Sequence, residues 1–276
     1  MIFTTFLKNL LRLTLSAFIN NQLSLENYAF TFDEIAEAYK DKSETSVNND
    51  LKYATQKGDI VPLRHHFYLI IPPRYLRQGK LPLELYVDKL FSFLKRKYYV
   101  GLYSAARFHG AAHQQIQKDY VIHSGSAFLD IKKNDIQIDF ISTNKWNKDN
   151  IVSRKSDSGL FNISSPALTA ADLLYHQSKI GGLNRVFTVI EELIEVINQE
   201  GIARLLDWYP HKSVLQRLGF ILQEVEGETD KTACLYEHLN NLKFYPTLLS
   251  PKSKEKPGAV SNRWKVDVNV EIESDI

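Results

Sequence analysis

A row of short polar side chains recurs at helical spacing in the first quarter of the chain. The residues of this row are Thr45, Ser46, Asn48, Asn49, Lys52 and Gln56. Hydroxyl, amide and amine groups of this kind can hydrogen-bond to base edges and phosphates in the major groove of DNA. The row therefore predicts a surface that reads double-stranded DNA.

Three basic side chains follow between two short apolar runs: Arg64, His65 and His66. The apolar runs at 60–63 and 67–71 predict the two strands of a hairpin, which places the three side chains at its tip. A cationic hairpin tip suits contact with phosphate or entry into a minor groove. We expect these residues to complete the contact with DNA.

Local signals predict the helices that position these side chains. Thr31 and Glu34 have the spacing of a capping box at the start of a first helix. Ser43 caps a second helix, which runs to Lys57 and ends at Gly58. The order helix, turn, helix, hairpin is that of a winged helix-turn-helix. The same order also occurs in domains that bind only proteins.

A second group of residues has part of the pattern by which nucleotidyltransferases hold two Mg²⁺ ions. Gly125 and Ser126 precede Asp130, and Asp139 lies on the next predicted strand. The second carboxylate would be needed two residues after Asp130, where this chain has Lys132. Because a cation at that position repels metal, a degenerate nucleotidyltransferase is only a minor alternative.

The histidines and the single cysteine give no further catalytic pattern. The eight histidines have no HExxH or comparable ligand spacing. His109 and His113 are four residues apart, but Gly110 interrupts the helix that would bring them together. Cys234 lies in an apolar run and is predicted to be a core residue. We therefore expect no enzymatic activity, no cofactor and no metal.

The whole pattern predicts an α+β chain of two domains. Residues 72–80 have the proline, glycine and charge content of a linker, so we place a winged-helix domain at 1–80. A largely helical domain with a small sheet is expected at 81–276. Its predicted strands are 120–123, 127–131, 135–141, 160–163 and 264–272. Its predicted helices are 82–97, 100–109, 165–179, 183–197, 201–208, 211–223 and 229–240.

Composition and charge restrict the class of protein. Hydrophobic residues make up 44% and charged residues 24%, as in an ordinary globular protein. The formal net charge is +2, so any affinity for DNA depends on local placement of charge. Near the start, Phe6, Leu10, Leu13 and Ala17 predict an amphipathic helix rather than an export signal or membrane span. A cytoplasmic protein is expected, since a single cysteine suits a reducing compartment.

Three stretches of the sequence carry a resemblance to a known family: FYLIIPPRY, YYVGLYSAARFHG and SSPALTAADLLYHQSKIGGLNRVFTVIEELIEV. Together they resemble the AbiEi family, the antitoxin half of type IV toxin–antitoxin systems. The resemblance implies an N-terminal winged helix that represses the chain's own operon at inverted repeats in its promoter. It also implies a C-terminal domain that counters a nucleotidyltransferase-like toxin. No catalytic residues are implied.

Five acidic side chains depart from the basic charge that is usual around a helix that reads DNA: Asp33, Glu34, Glu37, Asp41 and Glu44. They lower the expected affinity for DNA without changing the predicted topology. Two alternatives therefore stay open. One is a protein-interaction module that never binds DNA, and the other is a free-standing transcriptional regulator without toxin-neutralising activity.

Overall fold

The computed structural model describes residues 14–77, 80–111, 117–253, 255–258 and 260–272. The chain divides into two units. The first unit runs to Lys97 and also includes residues 130–137 and 154–161. The second contains residues 98–129, residues 138–153 and the chain from Asn162 onward. The functional division near residue 80 stays a prediction.

In the first unit, helices and strands alternate around a small sheet. The elements are α1 (Leu15–Ser24), β1 (Ala29–Thr31), α2 (Phe32–Ala38), α3 (Glu44–Lys57), β2 (Ile60–Arg64), β3 (Phe67–Ile70), α4 (Pro73–Leu76), a 3-10 turn (Leu83–Leu85) and α5 (Val87–Phe93). Strand β3 lies in the centre of a three-stranded sheet and pairs antiparallel with β1 and β2. The short helix α4 lies in the stretch that was predicted to be a linker.

The caps of α2 and α3 form as predicted. The Thr31 hydroxyl accepts from the Glu34 N–H at 3.2 Å, and Glu34 Oε2 accepts from the Thr31 N–H at 2.7 Å. This is the reciprocal geometry of a capping box. Ser43 Oγ accepts from the Ser46 N–H at the start of α3. Gly58 ends α3 with a φ of 82°, a left-handed conformation that glycine adopts without steric cost.

The apolar faces of the first three helices and the sheet share one core. Val47, Leu51 and Ala54 of α3 are buried in it, as their helical spacing predicts. The buried members of this core are Leu15, Phe18, Ile19, Phe30, Phe32, Ile35, Tyr39, Val47, Leu51, Ala54, Ile60 and Ile70. Burial of the apolar face of α3 determines which of its side chains face outward.

Helix α1 buries a different side from the one predicted. Phe18 is buried, whereas Ala17, which the sequence pattern placed on the buried side, is exposed. The other residues of the predicted stripe are Phe6, Leu10 and Leu13, which lie outside the described residues. The prediction about Ala17 is therefore wrong, because the large side chains one and two residues away fill the core instead.

The remaining elements build a mixed sheet and a group of helices. They are β4 (Tyr98–Val100), α6 (Leu102–Phe108), β5 (Asp119–Ser124), β6 (Ile131–Lys133), β7 (Ile136–Thr143), β8 (Ile151–Ser156), β9 (Gly159–Ser164), α7 (Pro166–His176), a 3-10 turn (Gln177–Lys179), α8 (Leu183–Ile194), α9 (Gln199–Leu206), α10 (Lys212–Phe220), a π turn (Ile221–Val225), α11 (Thr229–Asn241), β10 (Thr247–Leu248) and β11 (Val266–Asp267). The sheet order is β6-β7-β5-β4-β9-β8. The mixed α+β class is as predicted. Among the described residues, no helix is both long and apolar enough to cross a membrane.

The strand predicted at 127–131 is wrong. Residues 127–130 form no regular structure, and β6 begins only at Ile131. Leu129 is 86% exposed, so it does not face a core. A segment with high strand propensity does not form a strand on that account alone when it has no face to bury.

The helix predicted at 82–97 and the strand predicted at 264–272 are shorter than expected. Helix α5 ends at Phe93, because Tyr98–Val100 pairs with β5 and β9 as strand β4. The same pairing moves the start of the next helix from residue 100 to Leu102. Strand β11 covers only two residues beside β10. Tertiary pairing decides these boundaries, and the local pattern does not reveal it.

Two buried polar side chains on α10 donate hydrogen bonds to backbone carbonyl groups in the C-terminal segment 245–264. Gln216 Nε2 donates to the carbonyl oxygens of Tyr245 and Trp264, both at 2.9 Å. Arg217 Nε donates to the carbonyl oxygen of Leu248 at 2.8 Å, and burial lowers the pKa of Arg217 to about 10. Since a buried guanidinium is costly unless it is hydrogen-bonded, these bonds stabilise the segment against α10.

Gly219 allows the Trp264 ring to lie directly against the backbone of α10. A Cβ atom at residue 219 would lie 2.2 Å from Cζ3 of this ring. Trp264 is fully buried, and its ring packs edge-on against Tyr236 with centroids 5.6 Å apart. Only a residue without a Cβ fits here while the tryptophan keeps its place.

Replacing Gly219 by Ala is expected to destabilise the protein by about 1–3 kcal/mol, because overpacking a filled core forces neighbouring atoms to shift. In a Trp264→Leu background the same change should cost less, since the smaller side chain leaves room for the Cβ. A double-mutant cycle measured by urea unfolding gives the coupling free energy. Equal costs in the two backgrounds would contradict the proposed contact.

Candidate functional site

The residues predicted to read DNA lie on α3 and on the hairpin of β2 and β3. Five of the six α3 residues are exposed: Thr45, Asn48, Asn49, Lys52 and Gln56. Ser46 is half-buried beside the Ser43 cap. The fold thus brings the polar row together on one outward face. The contact of this face with DNA stays a prediction.

One exposed residue of this face, Tyr53, was not among the residues predicted from the sequence. Tyr53 is 69% exposed and lies four residues after Asn49, so the two side chains are neighbours on the helix. A tyrosine hydroxyl can bond phosphate, and an exposed aromatic ring is also typical of protein interfaces. An aromatic residue inside a row of polar ones was the signal that could have identified it.

Ion pairs offset part of the acidic charge near α3. Lys89 Nζ lies 2.7 Å from Glu34 Oε1, and Lys42 Nζ lies 2.6 Å from Asp50 Oδ2. These side chains are partly exposed, so the pairs contribute little to stability. Each pair nevertheless places a cation beside a carboxylate that would otherwise repel phosphate.

The hairpin tip differs in detail from the predicted cationic tip. Arg64 is the last residue of β2 and is half-buried; burial and the charge of Arg96 lower its pKa. His65 is exposed in the turn. His66 has a φ of 60°, and its ring stacks on Phe32 with centroids 4.8 Å apart. The Phe32 N–H donates to the His66 carbonyl oxygen at 2.9 Å, which fastens the tip to the start of α2.

The carboxylates that were weighed as metal ligands have other surroundings. Asp130 and Lys132 are exposed, and Asp139 forms an ion pair with Lys118. Within the described ranges, no group of three or more His, Cys, Asp or Glu side chains could hold a metal ion. His109 Nε2 donates to the Ser164 carbonyl oxygen at 2.7 Å.

The lone cysteine gives no sign of a reactive site. Cys234 is half-buried against the core rather than fully inside it, and burial raises the pKa of its thiol. A raised pKa makes a thiol less reactive at neutral pH. His113, whose pairing with His109 the sequence argued against, lies outside the described residues.

A concave site in the second unit was not predicted from the sequence. Its volume is about 250 Å³. Its walls include four aromatic rings and four ionisable side chains: Tyr99, Tyr175, Trp208, Tyr209, Lys145, Asp172, His176 and His211. We call this site the aromatic pocket. These eight residues come from β4, the segment after β7, α7 and the segment before α10, and residues of β5 and β7 also line the pocket.

Asp172 is the buried acid of the aromatic pocket and is 6% exposed. Tyr99 Oη donates to its Oδ2 at 2.8 Å, and Tyr209 Oη donates to its Oδ1 at 3.5 Å. Burial raises the pKa of Asp172 to about 7, although both hydroxyls act to lower it. Burial and the Asp172 charge raise the pKa of both tyrosines well above its usual value. The tyrosines therefore remain hydrogen-bond donors while the acid titrates near neutrality.

Two imidazoles in the aromatic pocket are neutral at pH 7. Burial, followed by the charges of Lys179 and His211, lowers the pKa of His176 to about 4. Burial and the charge of Lys145 lower the pKa of His211. The His211 ring stacks on Tyr175 with centroids 4.2 Å apart. These histidines thus present flat, uncharged rings.

Comparison with known protein families gives a match to part of the chain. Residues 99–224 match the family model of the AbiEi antitoxin C-terminal domain, and these residues contain the aromatic pocket. A comparison with curated proteins gave no match. The crystal structure of the RV2827C protein from Mycobacterium tuberculosis aligns with a TM-score of 0.63 and 12% identity, over 91% of this chain and 89% of that chain.

An identity of 12% shows a shared fold alone. The family model, in contrast, matches the two C-terminal stretches in which the sequence resembled AbiEi proteins, and it confirms that resemblance. Residues 99–224 of this chain therefore match the C-terminal domain of AbiEi antitoxins, as the resemblance implied.

Proposed function

We propose that this protein is the antitoxin of a type IV toxin–antitoxin pair and that it represses its own operon by winged-helix binding to DNA. The AbiEi domain at 99–224 supports the antitoxin part. The exposed polar face of α3 is the observation that carries the DNA part. The proposed partners are inverted repeats in the chain's own promoter and a nucleotidyltransferase-like toxin encoded alongside.

The order of elements in the first unit supports the assignment of a winged helix. Helices α2 and α3 are separated by a short turn, and the hairpin of β2 and β3 follows directly. In helix-turn-helix proteins the second helix of the pair enters the major groove. Capping at Ser43 and Gly58 fixes the ends of α3, and burial of Leu51 fixes its rotation. These constraints leave Asn49 and Lys52 exposed, which supports their proposed contact with the bases.

The hairpin is the wing of this arrangement. Exposed His65 and half-buried Arg64 supply its polar groups, while His66 is stacked on Phe32. A wing of this kind contacts phosphates beside the groove that the helix occupies, which fixes the register of the protein on the duplex. Helix α3 would then read the base sequence, and the hairpin would fix the position of the protein on the duplex.

One observation favours a second candidate function. Tyr53 exposes 69% of its surface in the middle of the α3 face. Tyrosine is enriched at protein interfaces relative to the rest of the protein surface. In this alternative, α3 docks on a protein and never binds DNA. The two functions differ in what happens when the polar neighbours of Tyr53 are removed.

Replacing Asn49 and Lys52 together by Ala is expected to weaken binding to the chain's own promoter by ~1–3 kcal/mol for each good base contact. Lys57→Ala is the matched control, because it removes a charge from the end of the same helix, where Lys57 pairs with Asp59 at 3.2 Å. A gel shift with the upstream DNA at low salt measures both. Equal affinity of the double variant and the control would contradict the assignment of the α3 face.

The salt dependence of binding separates phosphate contacts from base contacts. If Lys52 touches phosphate, Lys52→Ala should reduce the slope of log K against log salt by about 0.9, whereas Asn49→Ala should leave it unchanged. Arg64→Ala is expected to reduce the slope by about one. Fluorescence anisotropy over a salt series measures these slopes. A slope that is unchanged in Arg64→Ala would remove Arg64 from the proposed wing contact.

The full chain that carries Asn49→Ala and Lys52→Ala is expected to keep rescuing growth when the toxin is expressed from an independent promoter. The reason is that both residues lie outside the family domain at 99–224. A promoter reporter measures the loss of repression in the same cells.

Failure of the unmodified chain to rescue growth would overturn the antitoxin proposal. Rescue that disappears with the α3 variant, although the purified variant stays folded, would instead favour protein docking by α3. The predicted division at residue 80 assigns rescue to residues 81–276, and the point variants test that assignment within the intact chain.

A further inference from the structure

We infer that the aromatic pocket binds an organic cation, a guanidinium or alkylammonium group, with the Asp172 carboxylate as its counter-ion and the rings of Tyr99, Tyr175, Trp208 and Tyr209 around it. This inference concerns the second unit and does not rest on the proposed DNA binding. It assigns a ligand class to a site whose parts are already assembled by the fold.

Among the described residues, no cationic side chain is hydrogen-bonded to the Asp172 carboxyl group in the aromatic pocket. Its hydrogen bonds come from Tyr99 and Tyr209, which are neutral donors. In the described part of the chain, no lysine, arginine or histidine appears among the groups that shift its pKa. A buried carboxylate without an opposite charge is costly, and a bound cation would offset that cost.

Aromatic rings occupy the walls around this carboxyl group, and neighbouring side chains hold them in place. The Tyr99 ring packs against Trp146 with centroids 5.4 Å apart. Trp208 Nε1 donates to Asn150 Oδ1 at 2.9 Å. Tyr175 stacks on a neighbouring imidazole. Ring faces attract cations, and the attraction is strongest where water is displaced. The walls therefore have the chemistry of a cation-binding cage.

The other charges of the aromatic pocket favour a cation over an anion. His176 and His211 are neutral at pH 7, because their pKa values are lowered. Lys145 lies close enough to His211 to lower its pKa, yet it is not among the groups that shift the pKa of Asp172. A bound anion would approach the buried acid, whereas a bound cation would be repelled by Lys145 on the wall but by neither histidine.

The same cation chemistry has two sources. One is an arginine or lysine side chain on a partner protein, and the other is a free small amine or guanidine. The volume of about 250 Å³ has room for the head group and its alkyl stem in either case. Matched probes distinguish the sources and also separate charge from shape.

Isothermal titration calorimetry with the full chain tests the inference. The first probe pair is butylguanidinium and N-butylurea, which have similar shapes but differ in charge. The second pair is N-acetylarginine methylamide and N-acetylcitrulline methylamide. Each guanidinium is expected to bind about tenfold or more tightly than its urea partner. Tighter binding of the arginine probe than of butylguanidinium identifies a protein side chain as the source; equal or weaker binding identifies a small molecule.

Variants connect the binding to particular side chains. Asp172→Asn should abolish the preference for guanidinium over urea, because the amide keeps the size of the acid but not its charge. Lys145→Met should tighten guanidinium binding severalfold, since it removes a like charge from the wall. Lys148→Met is the matched control, because Lys148 is exposed and does not line the pocket. The Lys148→Met variant should bind guanidinium with the same affinity as the unmodified chain.

Cation binding should also release protons from Asp172. A cation favours the ionised carboxylate, so affinity is expected to rise as the pH increases through about 7. The other titratable side chains that line the pocket are Tyr99, Tyr175, Tyr209, His176, His211 and Lys145. Of these, Tyr99 and Tyr209 have raised pKa values and both histidines have lowered ones, so these four stay neutral from pH 7 to pH 8.

The stability of Asp172→Asn against pH checks that this variant folds. In the unmodified chain the Asp172 pKa is raised from 3.8 to about 7, so its contribution to stability is present at low pH and is lost as the pH rises through 7. The His176 pKa is lowered from 6.5 to about 4, so its contribution is present above 6.5 and is lost as the pH falls through 4. Of these two pH-dependent contributions to stability, the Asp172→Asn variant keeps only that of His176. Its stability relative to the unmodified chain should therefore increase from pH 4 to pH 8.

Three results would overturn the inference. If neither guanidinium probe binds at about 10 mM, the pocket is not a site for organic cations. Equal affinity for a guanidinium and its urea partner would show a neutral site that recognises shape. Weaker binding after Lys145→Met would show that Lys145 attracts the ligand, as in an anion site. The probe pairs and Lys145→Met remain decisive even if Asp172→Asn fails to fold.

Discussion

Asp172 is held between two tyrosine hydroxyls, and this interaction joins three separate parts of the second unit. Tyr99 comes from β4, Asp172 from α7, and Tyr209 from the segment before α10. A buried carboxyl group is costly unless its hydrogen bonds are made, so these parts cannot separate without losing that compensation. The same requirement places both tyrosine rings at the aromatic pocket. The packing of the sheet against the helices and the chemistry of the pocket therefore share one constraint.

Helix α3 was predictable because all the signals that define it are local. Ser43 and Gly58 determine its ends through a side-chain hydrogen bond and a left-handed backbone conformation. The spacing of Val47 and Leu51 determines its buried side, and the exposed side follows from that. The hairpin was predictable for a similar reason, although Arg64 proved to lie within the strand. Neither feature required knowledge of a distant segment.

Strand β8 and the aromatic pocket could not be predicted in this way. Ser153, Arg154 and Lys155 are all exposed and show no alternation, yet they form a strand because β9 offers an open edge. The pocket joins residues as far apart in sequence as Tyr99 and His211, and no spacing rule connects them. Sequence patterns report the faces of single elements. A site assembled from several segments becomes visible only when the topology of the sheet and helices is known.

The attachment of the hairpin tip to α2 has a consequence for association. The His66 ring is stacked on Phe32, and its carbonyl oxygen accepts the Phe32 N–H. A side chain that is mobile in the unbound protein loses rotamer entropy when a partner immobilises it, typically about 0.5–1.5 kcal/mol. His66 has already lost that freedom within the fold. Whatever molecule meets this tip, less of its binding free energy is spent on ordering the loop, and the bound geometry is selected before the encounter.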